Sequence, residues 1–323
     1  MGSSEAIAND DNSETITPTI AKNFVDYPSI LAVVGHNSSK ASRAGGLVYQ
    51  GKLVMISPTS YTRNISFDNQ SQDNYIFRTA PNVVKVAEKV SSYAINNRGK
   101  TNFLICSDKN PDNESVKGYL VTSITNAGGT INLTKCDLRD SQFNPQAVLS
   151  QAINKGANAL ILAFYIDKSR DKTGQGRALV RANKGQLALF GTPAALTKET
   201  LEEGQDINDM TIPVPWAWDS TAFPNNSFGS NAMQLWKAPI NWRTATSYDA
   251  TLVIVKGLQN SNSNTREELQ KRLHSPSFSV DGATGKIQFL QSGDRKDDAI
   301  FLVKVQQKSG TDKYEFMPIK LKP

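Results

Sequence analysis

Two apolar runs, Ile30 to Val34 and Leu53 to Ile56, lie within ILAVVGHNSSKASRAGGLVYQGKLVMISPTSYTR (residues 30–63), and each breaks into a cluster of hydroxyl residues. The first stops at Gly35 and passes through His36-Asn37-Ser38-Ser39 into a helix-compatible segment from Lys40 to Tyr49. The second stops at Ser57-Pro58 and is followed by Thr59, Ser60, Tyr61 and Thr62. Short continuous apolar runs bounded by turn residues read as strands buried on both faces. Strand, hydroxyl-rich turn, helix, strand, hydroxyl-rich turn is a βαβ unit with both polar turns at the carboxyl ends of its strands. At that edge of an open parallel sheet, helix N-termini present free N–H groups, so the pattern points to a small polar or anionic ligand held by hydroxyls and amides.

The alternation continues along the chain. Residues 14–26 have helical spacing, with Ile16, Ile20, Phe24 and Val25 on one side, and Tyr75 to Phe77 reads as a short strand. Val83, Val86, Ala87, Val90 and Ala94 repeat at helical spacing. Strand 103–106, helix 115–127 stopped by Gly128-Gly129, strand 131–135, helix 145–155, strand 159–164, helix 174–184 and strand Leu187 to Phe190 follow. Asn144-Pro145 is a helix start, with Asn as cap and Pro in the first turn. Strands alternating with helices at this spacing predict a parallel α/β fold. Pro213-Val214-Pro215-Trp216 reads as an extended path, and residues 219–231 as loop. A helix from Ala245 to Leu258 has Tyr248, Leu252, Val255 and Leu258 along one face; another, 266–273, follows a Thr265-to-Glu268 capping box. Strands Lys286 to Leu290 and Ile300 to Val305 close the fold.

A chain of 323 residues is long enough for two domains, each with its own core. Its net charge of +6 does not point to nucleic acid, because Lys and Arg are scattered and no aromatic residues are interleaved with them. No apolar run approaches the ~20 residues of a membrane helix, and the polar start MGSSEAIANDDN has no signal-peptide pattern. Cys106 and Cys136 each end a strand-like run. A disulfide across neighbouring strand ends is geometrically possible, and two buried reduced thiols is the other reading. Their separation and the absence of a nearby second Cys or His argue against metal. For catalysis the histidines are His36 and His274, the latter in a polar helix end. His36 beside serines invites a Ser-His reading, but adjacent residues rarely face each other, and there is no G-x-S-x-G elbow, P-loop or G-x-G-x-x-G after a strand. No cofactor is implied.

GHNSS followed by VYQ, LVMISPTS, YIFRTAP (75–81), AGGTI (127–131), VPW (214–216), NWRTATSYDA (241–250) and FSVDGATGKIQFLQSGDR (278–295) occur in this order. This series resembles the type I periplasmic binding proteins, in particular the leucine/isoleucine/valine-binding and amino-acid receptor family, over nearly the whole chain. The resemblance implies an α/β, two-lobed fold, each lobe a mainly parallel sheet flanked by helices. Lobe I would be 1–82 plus 216–297 and lobe II 83–215 plus 298–323, with a three-crossing hinge near 80–83, 213–216 and 296–299. IANDDN (7–12) is similar to the end of the family's second strand, so the family's first strand, first helix and most of its second strand have no counterpart here. That leaves an apolar strand edge for another segment or a partner chain to fill.

By the same resemblance the protein is an extracytoplasmic, periplasmic or extracellular solute-binding protein. It would hold a small polar ligand, an amino acid foremost, between its lobes and deliver it to the membrane permease of an ABC transporter. A ligand-sensing domain fused to a kinase or receptor is the alternative, and a hydrolase stands behind both. Ser39 matches the family serine that holds the ligand carboxylate, with Ser38, Thr59, Ser60 and Thr62 around it, and Tyr61 stands where the family usually has Thr. The acid that pairs with a ligand ammonium falls near Pro193, which has no carboxylate. Either Asp167, Asp112 or another acid replaces it, or the ligand is not an α-amino acid. Tyr165 and Trp216 are expected to line the ligand cleft.

Overall fold

The computed structural model describes residues 5–65, 73–164, 166, 171, 173–217, 227–259, 264–297 and 300–320. Contacts divide the chain into two compact units, Met1–Asn82 with Ala222–Ala299 and Val83–Thr221 with Ile300–Pro323. Trp216 therefore falls in the second unit, whereas the sequence reading started the return to the first at 216. The reason is pairing: Pro213 and Val214 are hydrogen-bonded opposite Leu302 and Phe301 in the second unit's sheet.

In chain order the first unit begins with helix α1 (Thr17–Asp26), strand β1 (Ala32–Val34), helix α2 (Ser39–Tyr49), β2 (Val54–Ser57) and β3 (Ile76–Arg78). The three strands form a parallel sheet in the order β1-β2-β3. Burial on both faces explains Leu53 to Ile56, whereas β1, expected to be as fully buried, is so only at Val33: it lies at the edge of the sheet and Val34 is exposed. Leu53, Met55 and Ile76 pack with Ala21, Val33 and Tyr49 on the α1–α2 side. Val54, Ile56 and Phe77 point the other way, into a second cluster.

The second unit runs α3 (Val83–Ser92), β4 (Asn102–Ser107), α4 (Pro111–Asn126), β5 (Thr130–Ile131), α5 (Pro145–Asn154), β6 (Ala159–Ala163), α6 (Gln175–Asn183), β7 (Ala188–Gly191), α7 (Lys198–Leu201) and β8 (Thr211–Val214). Helix α4 starts four residues before the expected 115, because the Asn110 side chain accepts the Asp112 amide and Pro111 opens the first turn. Strand β5 stops at Ile131 rather than 135. Asn132 turns the chain there, its Oδ1 accepting the Thr134 amide and its Nδ2 donating to Asn102 and Ala152. Cys136 thus lies beyond the strand, yet it is disulfide-bonded to Cys106 with their Cα atoms 4.8 Å apart.

The chain returns through α8 (Phe228–Trp236), α9 (Trp242–Gln259), α10 (Arg266–Leu273) and the antiparallel hairpin β9 (Val280–Gly282) and β10 (Gly285–Ile287). It ends in the second unit with β11 (Phe301–Gln307) and β12 (Tyr314–Pro318). The latter pair extends the unit's sheet to seven strands, β12-β11-β8-β7-β6-β4-β5, antiparallel at β12-β11-β8 and parallel beyond.

Three expectations are corrected in this returning segment. Helix α8 occupies part of the supposed loop 219–231. Strand β10 ends at Ile287, short of Leu290, which is half exposed past the hairpin. The buried face of α9 carries Ala245, Asp249, Ala250, Val253 and Gly257, while Tyr248 and Val255 are exposed. Small residues decide that face: a Cβ on Gly257 would strike the Leu269 side chain, so α9 and α10 approach more closely than larger residues would allow. Among the described residues no helix is long and apolar enough to cross a membrane.

Candidate functional site

At the carboxyl edge of the first unit's sheet, the turns after β1 and β2 meet. Ser42, in the first turns of α2, is fully buried and is the hub of this meeting. Its Oγ donates to the His36 carbonyl at 2.9 Å and lies 2.8 Å from Ser60 Oγ and 3.1 Å from Ser57 Oγ, while the His36 amide donates to it at 3.2 Å. Thr59 Oγ1 donates to the Asn37 carbonyl at 2.8 Å. Ser38 caps α2, its Oγ accepting the Ala41 amide at 3.3 Å. Thr59 and Ser60 are thereby committed to tying the two turns together, and Ser38 to capping α2.

The remaining first-unit candidates are arranged differently. Ser39 is the first residue of α2, half-buried, and its hydroxyl has no partner among the described residues. The Ser39 and Lys40 amides at this helix start likewise have no acceptor among the described residues. Thr62 Oγ1 is buried without a hydrogen-bond partner, although the Thr62 carbonyl accepts Arg78 Nη1 at 2.7 Å. Tyr61 is buried in the same turn. A helix N-terminus carrying two open amides and a free hydroxyl is suited to a carboxylate.

The second unit holds the other candidates. Asp112 sits in the first turn of α4, where its charge complements the helix dipole. Trp216 is buried. Pro193, Ala194 and Ala195 form a buried turn with no carboxylate of their own. Tyr165 and Asp167 lie outside the described residues.

The Ser-His pairing is not formed by the side chains. His36 Nδ1 lies 2.6 Å from Asp10 Oδ2, and its Nε2 lies 3.3 Å from the Tyr49 hydroxyl. The serines touch only the His36 backbone. A carboxylate cannot donate, so Nδ1 carries the proton and Nε2 accepts from Tyr49. Burial pushes the imidazole below its ordinary pKa despite the opposing charge and hydrogen bond of Asp10, and it pushes the Tyr49 phenol up. For Asp10 burial acts to raise the pKa but is outweighed by the Asn12 amide, the Thr17 hydroxyl and His36, so the carboxyl titrates below its usual range. His274 stands at the polar helix end expected, capping α10, but is itself buried against the Phe77 ring at 4.8 Å, with Nε2 donating to the Asn74 carbonyl at 2.8 Å.

Sequence reasoning missed Ser42 and Asp10. Ser42 looks like an ordinary helix residue, and only its four-residue offset from Ser38 hinted that it faces the same turn. Asp10 is 26 positions from its partner. Among the described residues no three His, Cys, Asp or Glu side chains gather closely enough to hold a metal ion.

A family model described as periplasmic binding protein matches residues 6–311. The chain belongs to the periplasmic binding protein family. It is a binding protein, not an enzyme. No curated protein sequence matches this periplasmic binding protein. Among solved structures, it is similar to the leucine complex of an ABC transporter substrate-binding protein from Desulfitobacterium hafniense, with 20% identity, a TM-score of 0.76, and 96% of this chain and 87% of that one covered. The leucine-binding protein of Thermotoga maritima gives 17% identity, a TM-score of 0.75 and coverage of 96% and 85%. An ABC transporter solute-binding protein from Rhodopseudomonas palustris in complex with 3,4-dihydroxybenzoic acid gives 15%, 0.76, 97% and 84%. At these identities the likeness is one of fold, the α/β two-lobed fold of periplasmic binding proteins.

Proposed function

We propose that this protein binds a small carboxylate-bearing ligand, an amino acid foremost, outside the cytoplasm and serves ABC-type uptake by passing it to a membrane permease. The observation that carries the reading is the start of α2, where the Ser39 hydroxyl and the Ser39 and Lys40 amides are uncommitted at the carboxyl edge of a parallel sheet. Thr62, with its buried and unpartnered hydroxyl, is a further donor of the same edge. Ser38, Ser60 and Thr59 hold the turns and act on the ligand only through that shape. The relatives bound to leucine and to a dihydroxybenzoic acid share a carboxylate and differ in the rest of the ligand.

The test is a thermal-shift screen against amino acids, benzoates, aliphatic carboxylates and amides. A ligand at 100 times its dissociation constant adds about 2.7 kcal/mol to stability. The reading requires a shift with one amino-acid class that Ser39→Ala abolishes. A shift with benzoates alone overturns the amino-acid assignment, and silence across all carboxylates overturns the carboxylate site.

A further inference from the structure

The turn that leads into the start of α2 is held from a third segment. Asp10, 14% exposed, uses both carboxylate oxygens: Oδ1 accepts the Asn12 amide at 2.9 Å, and Oδ2 accepts the Thr17 hydroxyl at 3.0 Å and the His36 Nδ1–H at 2.6 Å. Two residues on, Asn12 Oδ1 accepts Asn37 Nδ2 at 3.2 Å. Asp11 and Asn12 both have positive φ, 50° and 55°, a tight turn that sets the side chains of residues 10 and 12 against consecutive residues of the α2 turn.

The main chain and the ring of His36 have separate partners. Its carbonyl accepts from Ser42, Ser57 and Ser60 and its amide donates to Ser42, which fixes the turn. The ring is buried, bonded to Asp10, stacked on Tyr49 with centroids 5.8 Å apart and walled by Gly45. A proton added at Nε2 therefore leaves the serine contacts in place, and the Tyr49 hydroxyl, able to donate or accept, turns to receive it. Among the described residues Asp10 and Tyr49 are the titratable groups that touch the imidazole. On the surrounding elements Glu14 and Arg43 pair with each other at 3.0 Å, Lys22 pairs with Asp26, Asp11 accepts from Asn9, and Lys40 stands in the first turn of α2.

We propose that Asp10 and His36 are a proton-linked positioning pair for the carboxylate site: a ligand carboxylate binds more tightly when His36 is protonated, and its binding draws a proton onto the imidazole. The inference rests on the carboxylate reading of the α2 start. With Asp10 ionised and the imidazole neutral, the pair carries one negative charge beside His36 and Asn37; with the imidazole protonated it carries none. Ser39 follows His36 by three residues, which span at most about 11 Å. That distance is of the order of the Debye length at physiological salt, about 8 Å, so the charge is felt by a carboxylate at the Ser39 and Lys40 amides. Burial holds the imidazole below its ordinary pKa and the Asp10 carboxyl titrates below its own usual range, so between the two ranges the pair changes charge at His36 alone. Linkage fixes the sign: affinity rises as pH falls into the histidine range, and ligand raises the His36 pKa.

Calorimetric titration with leucine, benzoate and butyrate at pH 8 and pH 5.5, on wild type, Asp10→Asn and His36→Asn, tests this. Wild type is expected to bind about threefold more tightly at pH 5.5, with uptake of a fraction of a proton read from buffers of different ionisation enthalpy. Asp10→Asn keeps Oδ1 for the Asn12 amide and offers Nδ2 to His36 Nδ1 without the charge. It should bind at pH 8 at least as tightly as wild type does at pH 5.5, whereas mere damage to the turn would weaken binding. His36→Asn keeps a donor for Asp10 and does not titrate, so its affinity should be the same at both pH values. Equal wild-type affinity at pH 8 and 5.5 overturns this inference and leaves the carboxylate site standing, and so does weaker binding by Asp10→Asn at pH 8. No binding of any of the three carboxylates at either pH overturns the carboxylate reading and this inference with it.

Discussion

Arg78, the last residue of β3 and 1% exposed, places its Nε 2.5 Å from Asp294 Oδ1. Asn82 Nδ2 donates to the other carboxylate oxygen at 3.2 Å, and Arg78 also reaches the Thr62 carbonyl. One carboxylate thus ties together the two stretches by which the chain leaves the first unit, at 82 and 299. Removing one partner of a buried ion pair costs up to about 3–5 kcal/mol, less where the remaining charge keeps other partners, as Arg78 does at the Thr62 carbonyl. Asp294→Ala should therefore lower unfolding stability in urea titration by at most that amount, with Asp294→Asn intermediate because it keeps an acceptor for the guanidinium. Equal loss in both variants would show that the charge, not the hydrogen bonding, carries the effect.

Glycine is required inside α2 at position 45 by contact rather than by conformation. A Cβ there would lie 2.5 Å from His36 Nε2 and 2.9 Å from Cδ2, and the ring cannot retreat because Asp10 and Tyr49 hold it. Helix propensity favours Gly45→Ala by about 1 kcal/mol, whereas overpacking a filled site costs about 1–3 kcal/mol. A net loss of stability on thermal unfolding is expected; a gain would mean that the His36 ring moves freely.

Both histidines are held neutral by burial, with the charge of Asp10 or Asp73 only partly offsetting it. In the unfolded chain they titrate near 6.5. As pH falls below about 6.5 the unfolded state therefore takes up more protons than the folded one, and stability falls with pH. Asp10, titrating lower in the folded protein than its ordinary 3.8, adds a second loss at more acidic pH. Asp249, raised by burial, acts in the opposite direction in the acid range. Urea midpoints between pH 8 and 5 should drop, and His274→Gln, which keeps a donor for Asn74, should flatten that slope.

The disulfide joins positions 30 apart within the second unit. Closing a loop of this length stabilises by about 3.6 kcal/mol in the chain-entropy description. Reductant, or Cys106→Ser with Cys136→Ser, should lower the melting temperature of the second unit and leave the Asp294 and Gly45 effects in the first unchanged. Identical melting with and without reductant would show that the bond adds nothing to stability.

Most of the architecture was legible in local pattern. Buried parallel strands are apolar on both faces, so Leu53 to Ile56, Phe103 to Cys106 and Ala159 to Phe164 announced themselves; Ile30 to Val34 was found by the same signal although its strand is an edge with Val34 exposed, and the capping residues Asn144 and Thr265 mark helix starts in the structure as they do in the sequence. Strand β12 and helix α8 were not legible, since each is recognised by what it packs or pairs with rather than by its own periodicity. The orientation of α9 was misread for the same reason: Tyr248, Leu252 and Val255 make a plausible apolar stripe, but the small residues on the adjacent face decide how closely neighbours approach. At the candidate site, sequence alone determined that hydroxyls cluster at the ends of two neighbouring parallel strands. Only the tertiary structure decided which of them are spent. Ser42, Ser57 and Ser60 converge on one His36 carbonyl from positions up to 24 residues away, and Asp10 reaches the ring of that histidine from another segment altogether. A hydroxyl has the same composition whether it ties a turn or waits for a ligand, and the difference lies in which partners the fold brings within about 3 Å.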